Sequence, residues 1–211
     1  VGENMPGSPI LFPDSEYNVA AKAIAEKFAG ANQFSIYFES EEAHTMKQPA
    51  IVATMEKFAL YMRDTDGFGG TRTIPHLVRS INRLYHYDDP RWGLVPSSQR
   101  DIGNTLFMYE AGAAIPGVIL EYMDLEARTA NFVVFYKDAT GPTVTNAMIA
   151  AKKFLDENPM EGVTPRFAGG IIGTTAAGNE EVEESELNQT ILIMIVVMVS
   201  VMATYRSITA A

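Results

Sequence analysis

The C-terminal 25 residues constrain the fold of this chain more than any other segment. No charged side chain lies between Leu187 and Tyr205, and the centre, Ile191–Val199, is an unbroken run of large apolar residues. About 20 apolar residues are needed to cross roughly 30 Å of hydrocarbon as an α-helix, and this stretch approaches that length. The pattern predicts a transmembrane helix at residues 187–208.

Charged residues on either side of the stretch indicate how this helix would be oriented. Tyr205 and Arg206 follow it, and cations favour the cytoplasmic end of a membrane helix. Residues 1–186 would then lie outside the cytoplasm. An acidic run stands immediately before the stretch, formed by Glu180, Glu181, Glu183, Glu184 and Glu186.

A buried core helix in a soluble protein, such as an enzyme, is the alternative for the same segment. The strictly apolar part is close to the length of a core helix, and Thr190, Ser200 and Thr204 interrupt it. A helix can satisfy such hydroxyls with its own carbonyl groups. A soluble domain of this size seldom needs a helix that is apolar on every side, which favours the membrane.

Composition excludes several classes of partner and site. The chain of 211 residues has 16 Lys and Arg against 26 Asp and Glu, a net charge of −10, which argues against binding nucleic acid or an anionic lipid surface. It has no cysteine, so disulfides and thiolate metal sites are excluded. The start, Val1-Gly-Glu-Asn4, is not typical of a signal peptide. We therefore expect a piece of a longer membrane protein in which another membrane helix precedes Val1.

Periodicity along the chain predicts an α+β domain at residues 1–186. Strands are expected near 33–39 and 69–74, as a hairpin over 117–136, and at 163–169, in a four-stranded, mainly antiparallel sheet. Helices are expected to follow the caps and helix-starting prolines at Ser15, Pro49 and Pro142. A further helical segment at about 75–116 interrupts this order. Without that insertion and the first helix, the order approximates a ferredoxin-like, split β-α-β sandwich.

Two places in the sequence could carry chemistry, and neither matches an established motif. Gly169, Gly170 and Gly173 join a strand to a helix, but the spacing is not that of a nucleotide-binding loop, and acidic residues follow. They form either a tight turn or a hinge between the domain and the C-terminal helix. His86 lies close to Asp88 and Asp89, which is compatible with a metal site or with ion pairs at a helix end. We predict no catalytic residue, no metal and no cofactor.

Three stretches together resemble the resistance-nodulation-division (RND) exporters, specifically the mycobacterial-membrane-protein (MMPL) and hopanoid-exporter type. The similarity covers nearly the whole chain in order, although none of its motifs is specific by itself. The stretches are Pro6-Gly-Ser-Pro-Ile-Leu-Phe-Pro-Asp-Ser-Glu-Tyr-Asn18, Ala168-Gly-Gly-Ile-Ile-Gly-Thr-Thr-Ala-Ala-Gly-Asn-Glu-Glu181 and Tyr205-Arg-Ser207.

The resemblance implies a porter-like domain from the second large extracytoplasmic loop of a proton-driven pump, followed by the start of the next membrane helix. It implies a bacterial inner-membrane location, a hydrophobic or lipid-like substrate, and the remainder of the transporter as partner. The resemblance does not fix the oligomeric state, and a homo-oligomer is one possibility. The proton-relay acids of that family lie in central membrane helices, so none can be assigned here. A membrane-tethered sensor or adaptor that binds a protein is the alternative function, and a single membrane helix in the parent protein would favour it.

Overall fold

The computed structural model describes residues 11–205, apart from the side chains of residues 168, 179–188, 203 and 205. It contains α-helices, short 3-10 helices and one sheet. The α-helices are α1 (Glu16–Lys27), α2 (Pro49–Met62), α3 (Ile74–Tyr85), α4 (Gln99–Gly112), α5 (Gly141–Glu157) and α6 (Gly170–Tyr205). The strands are β1 (Asn32–Glu39), β2 (Phe68–Arg72), β3 (Thr129–Tyr136) and β4 (Thr164–Gly169). The 3-10 helices are Thr45–Lys47, Pro90–Trp92 and Val118–Glu121.

The four strands form one antiparallel sheet in the order β2-β3-β1-β4. The α+β class and the antiparallel sheet predicted from the sequence are therefore confirmed. β1 and β3 form the centre and pair along their full lengths, from Asn32 opposite Tyr136 to Glu39 opposite Thr129. The register shifts once between β1 and β4 and once between β2 and β3.

An aromatic cluster between the sheet and two helices forms the centre of the core. Phe58 of α2 stacks on Phe132 of β3 with ring centroids 4.6 Å apart, and on Phe154 of α5 at 5.1 Å. Phe38 of β1 meets the rings of Phe58 and Phe132 edge-on, at 6.3 and 5.9 Å. Such offset and edge-on pairs stabilise a core beyond the area that they bury. The cluster fixes α2 and α5 against the two central strands.

Asp138 and two threonines organise the start of α5. Thr140 is the N-cap residue, and the Asp138 carboxylate accepts hydrogen bonds from the Thr140 N–H at 3.1 Å and the Thr143 hydroxyl at 2.6 Å. Partial burial opposes ionisation of Asp138, but these hydrogen bonds outweigh it and hold the pKa of its carboxyl below the ordinary value. The negative charge also lies at the positive end of the helix dipole.

The predicted hairpin over 117–136 is wrong in its first half. Val118–Glu121 is a 3-10 helix, and only a single bridge, Met123 to Ala130, remains of the expected pairing. The cause is Glu110 at the end of α4, whose carboxylate accepts hydrogen bonds from the N–H groups of Gly117 (2.8 Å) and Ile119 (3.0 Å). These donors are thereby diverted from a strand ladder to a side chain.

The predicted helical insertion is confirmed. Between β2 and β3 the chain forms α3, the 3-10 helix Pro90–Trp92, and α4. α3 and α4 pack against each other. Their buried apolar side chains are Ile74, Leu77, Val78, Ile102 and Leu106. α3 also packs against α2 and β2, so the insertion adjoins the sheet domain.

α6 is a continuous helix from Gly170 to Tyr205. The chain divides into two compact units, Val1–Thr174 and Thr175–Ala211, so the division falls inside this helix. The side chains of Ile191–Val199 are each 49 to 67% exposed, which does not support the alternative of a buried core helix.

The transmembrane helix predicted at 187–208 is not confirmed. Within the described part of the chain, no helix is long and apolar enough to cross a membrane. Residues 206–208 of that prediction lie outside the described residues, as do residues 1–10 of the N-terminal segment and the side chains of the acidic run at 180–186.

Truncation of a ring in the aromatic cluster should lower the stability of the folded chain. We expect Phe58→Ala to lower the free energy of unfolding by about 3–5 kcal/mol, because a fully buried ring is replaced by a cavity. Leu60→Ala, on the exposed side of the same helix, should change it by less than about 0.5 kcal/mol. Urea unfolding followed by circular dichroism measures both. Equal effects of the two changes would contradict this assignment of the core.

The Asp138 carboxylate should make stability depend on acid pH. Because its pKa is lower in the folded chain, its contribution is present above the unfolded pKa of about 3.9 and is lost as pH falls through the folded value. Asp138→Asn should flatten the fall in unfolding free energy between about pH 5 and pH 2. Asp156→Asn, an exposed carboxylate on the same helix, serves as control. An unchanged acid profile in Asp138→Asn would refute this role.

Candidate ligand-binding cleft in the helical insertion

Side chains of α3 hold the segment that follows the helix in one fixed path. The amide nitrogen of Asn82 donates to the carbonyl oxygens of Trp92 (2.9 Å) and Leu94 (3.1 Å). Arg79 Nε donates to the carbonyl oxygen of Gly93 at 2.8 Å, and its Nη1 donates to Glu56 of α2 at 2.9 Å. Three consecutive backbone carbonyls are thus bound by two neighbouring side chains of one helix. The segment around Trp92 is therefore positioned by α3 itself.

A flat pair of rings results from this arrangement. The imidazole of His86 stacks on the indole of Trp92, with centroids 3.7 Å apart and planes inclined by 7°. His86 Nδ1 lies 2.7 Å from the carbonyl oxygen of Asn82. A carbonyl only accepts, so Nδ1 carries the proton and Nε2 of the neutral ring is an acceptor. One residue, Asn82, therefore orients both rings, through its side chain and through its backbone.

Ion pairs fix the polar turn between the two rings. Arg83 Nε donates to Asp88 at 2.6 Å, and Arg91 donates to both carboxylate oxygens of Asp89. The hydrogen bond and charge of Arg83 lower the pKa of Asp88, and the hydrogen bonds from Arg91 lower the pKa of Asp89. The ion pairs proposed for this helix end are present. Among the described residues, no group of three or more His, Asp or Glu is arranged to hold a metal ion.

These elements and α4 enclose a cleft with a volume of about 960 Å³. Its apolar surface includes Trp92, which is 47% exposed, and Met108 of α4. Asp101, Asn104 and Thr105 supply polar groups on the wall that α4 forms, one helical turn apart. The remaining apolar lining residues are Tyr85, Leu94, Val95 and Pro96. A mostly apolar concave surface with a few polar groups is the usual form of a small-molecule site.

A second cleft of similar size, about 920 Å³, has a different chemistry. It lies between the ends of β1 and β4 and is lined mainly by acidic and hydroxyl side chains, among them Glu39, Glu42 and Glu161. Its cation, Arg166, is bound to Glu39 at 3.1 Å. Apolar side chains contribute little to this surface, so it does not suit a hydrophobic molecule.

The predicted glycine site lies at the junction of β4 and α6 and does not line either cleft. A Cβ at Gly169 would lie 2.5 Å from the Ser35 Cβ, and one at Gly170 would lie 2.2 Å from the Gln33 carbonyl oxygen. Gly170 also has a φ of +74°, which side chains rarely adopt. Gly173 is buried within α6. At Gly169 and Gly170 close approach to β1 therefore explains the glycines, as expected of a tight turn. Their role as a hinge stays a prediction.

Comparison of the sequence with protein-family models and with curated proteins gives no match. The resemblance to RND exporters therefore remains an expectation from the quoted stretches. The sequence pattern predicts the insertion but not its cleft. The available signal was the density of aromatic residues between Tyr85 and Trp92, with Leu94 directly after, on a segment that has no catalytic motif.

Substitution of the junction glycines should test how tightly they pack. We expect Gly170→Ala to lower the unfolding free energy by about 1–3 kcal/mol, because an L-residue is strained at positive φ and its Cβ meets the β1 backbone. Gly178→Ala, further along α6 with no atom near its Cβ, should instead stabilise the helix by up to about 1 kcal/mol. Thermal unfolding of both variants provides the measurement. An unaffected Gly170→Ala variant would show that the junction is loose.

Proposed function

We propose that this chain is an extracytoplasmic, porter-like domain of a proton-driven RND-type exporter, and that the aromatic cleft takes a hydrophobic or amphiphilic substrate. The cleft is the observation that carries the proposal. It combines an apolar surface, a rigid ring pair and a polar wall. The domain would bind and pass its substrate unchanged.

The arrangement of the sheet supports the porter part of this proposal. β1-α2-β2 and β3-α5-β4 are two β-α-β halves, and the sheet order β2-β3-β1-β4 places β1 and β3 in the centre. This is the order of a ferredoxin-like, split β-α-β sandwich. In the proposed domain, the insertion containing α3 and α4 connects the two halves and carries the substrate cleft.

The exposed apolar surface of α6 supports the membrane part of the proposal. Nine consecutive side chains, Ile191–Val199, are about half exposed or more on every side of the helix. Soluble monomers rarely expose contiguous apolar surface of that extent, which typically marks a site that a membrane or a partner covers. In the proposed exporter this segment enters the inner membrane, and residues 1–186 lie on the periplasmic side.

The cleft suits a molecule with an apolar body and a small polar end. Trp92 and Met108 provide the apolar contact, and the Asp101 carboxylate and the Asn104 amide lie on the polar wall. The arginines and aspartates of the turn are paired with one another, and Asp101 is a further carboxylate in the cleft lining, which accepts a hydrogen bond from the Ser98 hydroxyl. An uncharged or cationic polar end therefore fits better than an anionic one, which would lose its water beside a like charge.

Fluorescence of Trp92 tests the proposal directly, because it is the single tryptophan of the chain. We expect titration of the 211-residue protein with 1-dodecanol to shift its emission to shorter wavelength in a saturable way. Met108→Asp should weaken the apparent affinity at least about tenfold, since a buried carboxylate without a partner opposes apolar contact. Leu60→Asp, an apolar position outside the cleft that is 52% exposed against 41% for Met108, is the control.

Two results would overturn the assignment. The first is a linear, unsaturable change of Trp92 emission, which indicates partition of the alcohol onto exposed apolar surface. The second is the same apparent affinity in Met108→Asp as in Leu60→Asp. Circular dichroism of both variants before titration ensures that each is folded.

A further inference from the structure

The first helix presents an apolar stripe that the rest of the described chain leaves uncovered. Tyr17, Ala21, Ile24 and the C-cap residue Phe28 follow one another at intervals of 4, 3 and 4 residues. At 3.6 residues per turn they fall within a sector of about 60° on one side of the helix. Tyr17, Ile24 and Phe28 are 60, 41 and 68% exposed, and Ala21 is partly so. This spacing is that of the seam between two packed helices.

α1 has little else to stabilise it. Its buried side chains are Asn18 and Ala25. Asn18 is engaged in holding the preceding segment, because its amide donates to the carbonyl oxygens of Leu11 (3.3 Å) and Phe12 (2.9 Å). Ser15 caps the helix through the N–H of Asn18 at 3.3 Å. An isolated helix of about 12 residues is marginal in water, so α1 gains most if its apolar stripe is covered.

We propose that the stripe of α1 pairs with the same stripe on a second copy of this chain, in antiparallel orientation about a two-fold axis. The stripe is complementary to itself in that orientation. With the axis midway along it, Tyr17 meets the partner's Phe28, and Ala21 meets the partner's Ile24. Two aromatic pairs then close the ends, while small residues face large ones in the centre. A two-fold contact requires such self-complementarity.

Charges beside the stripe select the antiparallel orientation. Glu16 and Lys27 are both exposed and lie on the same flank of α1, at opposite ends. Antiparallel pairing brings each Glu16 near the partner's Lys27, which gives two attractive contacts. Parallel two-fold pairing would place the two copies of this flank on opposite sides of the seam, so neither attractive contact would form. Lys22 lies well away from this flank, close to the back of the helix, and takes no part.

The size of the surface sets the expected strength of the pair. A helix of 12 residues is about 18 Å long and buries less than the roughly 800 Å² per partner of a standard interface. Association should therefore be micromolar or weaker and should decrease with added salt. Measurements need protein concentrations on the order of 100 µM.

Mixing two charge-reversed variants of the 211-residue protein tests the orientation. Glu16→Lys and Lys27→Glu each place like charges opposite one another in their own homodimers, so each should self-associate at least about threefold less than the parent. An equimolar mixture should restore association, because the lysine introduced in one variant then faces the glutamate introduced in the other. Sedimentation equilibrium in a mild detergent measures all three samples. Lys22→Glu, the same charge change outside the seam, should associate as the parent does.

Cross-linking gives an independent measurement, because the chain has no cysteine of its own. Tyr17→Cys/Phe28→Cys should form disulfide-linked dimers, since residues 17 and 28 of one helix are about 16 Å apart and cannot bridge within it. Tyr17→Cys alone should form few disulfide-linked dimers, because the two copies of residue 17 also lie about 16 Å apart in the antiparallel pair. Val19→Cys/Glu26→Cys, on the opposite side of α1, controls for random collision.

Three outcomes would overturn the proposal. One is a monomer at all concentrations, and another is association of the variant mixture no stronger than that of either variant. The third is equal cross-linking in the control and in Tyr17→Cys/Phe28→Cys. Association through the apolar part of α6 would be insensitive to the charges of α1, so the mixing experiment distinguishes it from the proposed pair.

Discussion

The antiparallel pairing of β1 with β3 is the interaction on which the first unit of this chain depends. Each of these strands is central, so β2 and β4 are hydrogen-bonded only through them. The same two strands supply Phe38 and Phe132 to the aromatic cluster that holds α2 and α5. The pairing brings together residues about 100 positions apart in sequence, which costs loop-closure entropy. The β1–β3 hydrogen bonds along the full strand length and the contacts of the aromatic cluster together offset this cost.

This construction explains why a long insertion is tolerated where it occurs. α3 and α4 leave the sheet after the edge strand β2 and return to the central strand β3, so they interrupt no ladder. The insertion also has its own hydrogen bonds, from Asn82 and Arg79 to the backbone around Trp92. Its surface can therefore be specialised with little effect on the sheet. Binding surfaces in proteins commonly lie on connecting segments for this reason.

Patterns among neighbouring residues predicted most of the helices and strands. The features that were missed depend on contacts between residues further apart in the sequence. Alternation of apolar residues identified β1, and caps or prolines identified the starts of α1, α2 and α5, because these depend on neighbouring residues. The hairpin was predicted wrongly because Val118–Glu121 has strand-forming residues, while its conformation is set by Glu110, a residue that is remote from the pattern. The cleft could not be predicted for the same reason. Its rings are positioned by hydrogen bonds between Asn82 and carbonyl groups ten and twelve residues later.

The distribution of exposed apolar surface connects the proposals. The aromatic cluster at the sheet is buried. The large apolar residues that are exposed to solvent concentrate in α1, the insertion and α6. Three different coverings are assigned to them: a second copy for α1, a substrate for the insertion and lipid for α6. Each surface suits its covering in a different way. The α1 stripe is narrow and flanked by opposite charges, as a helix seam requires. The cleft is concave and has polar groups on one wall. The α6 segment is apolar on all sides and lacks charge, which suits a solvent that makes no directional contacts.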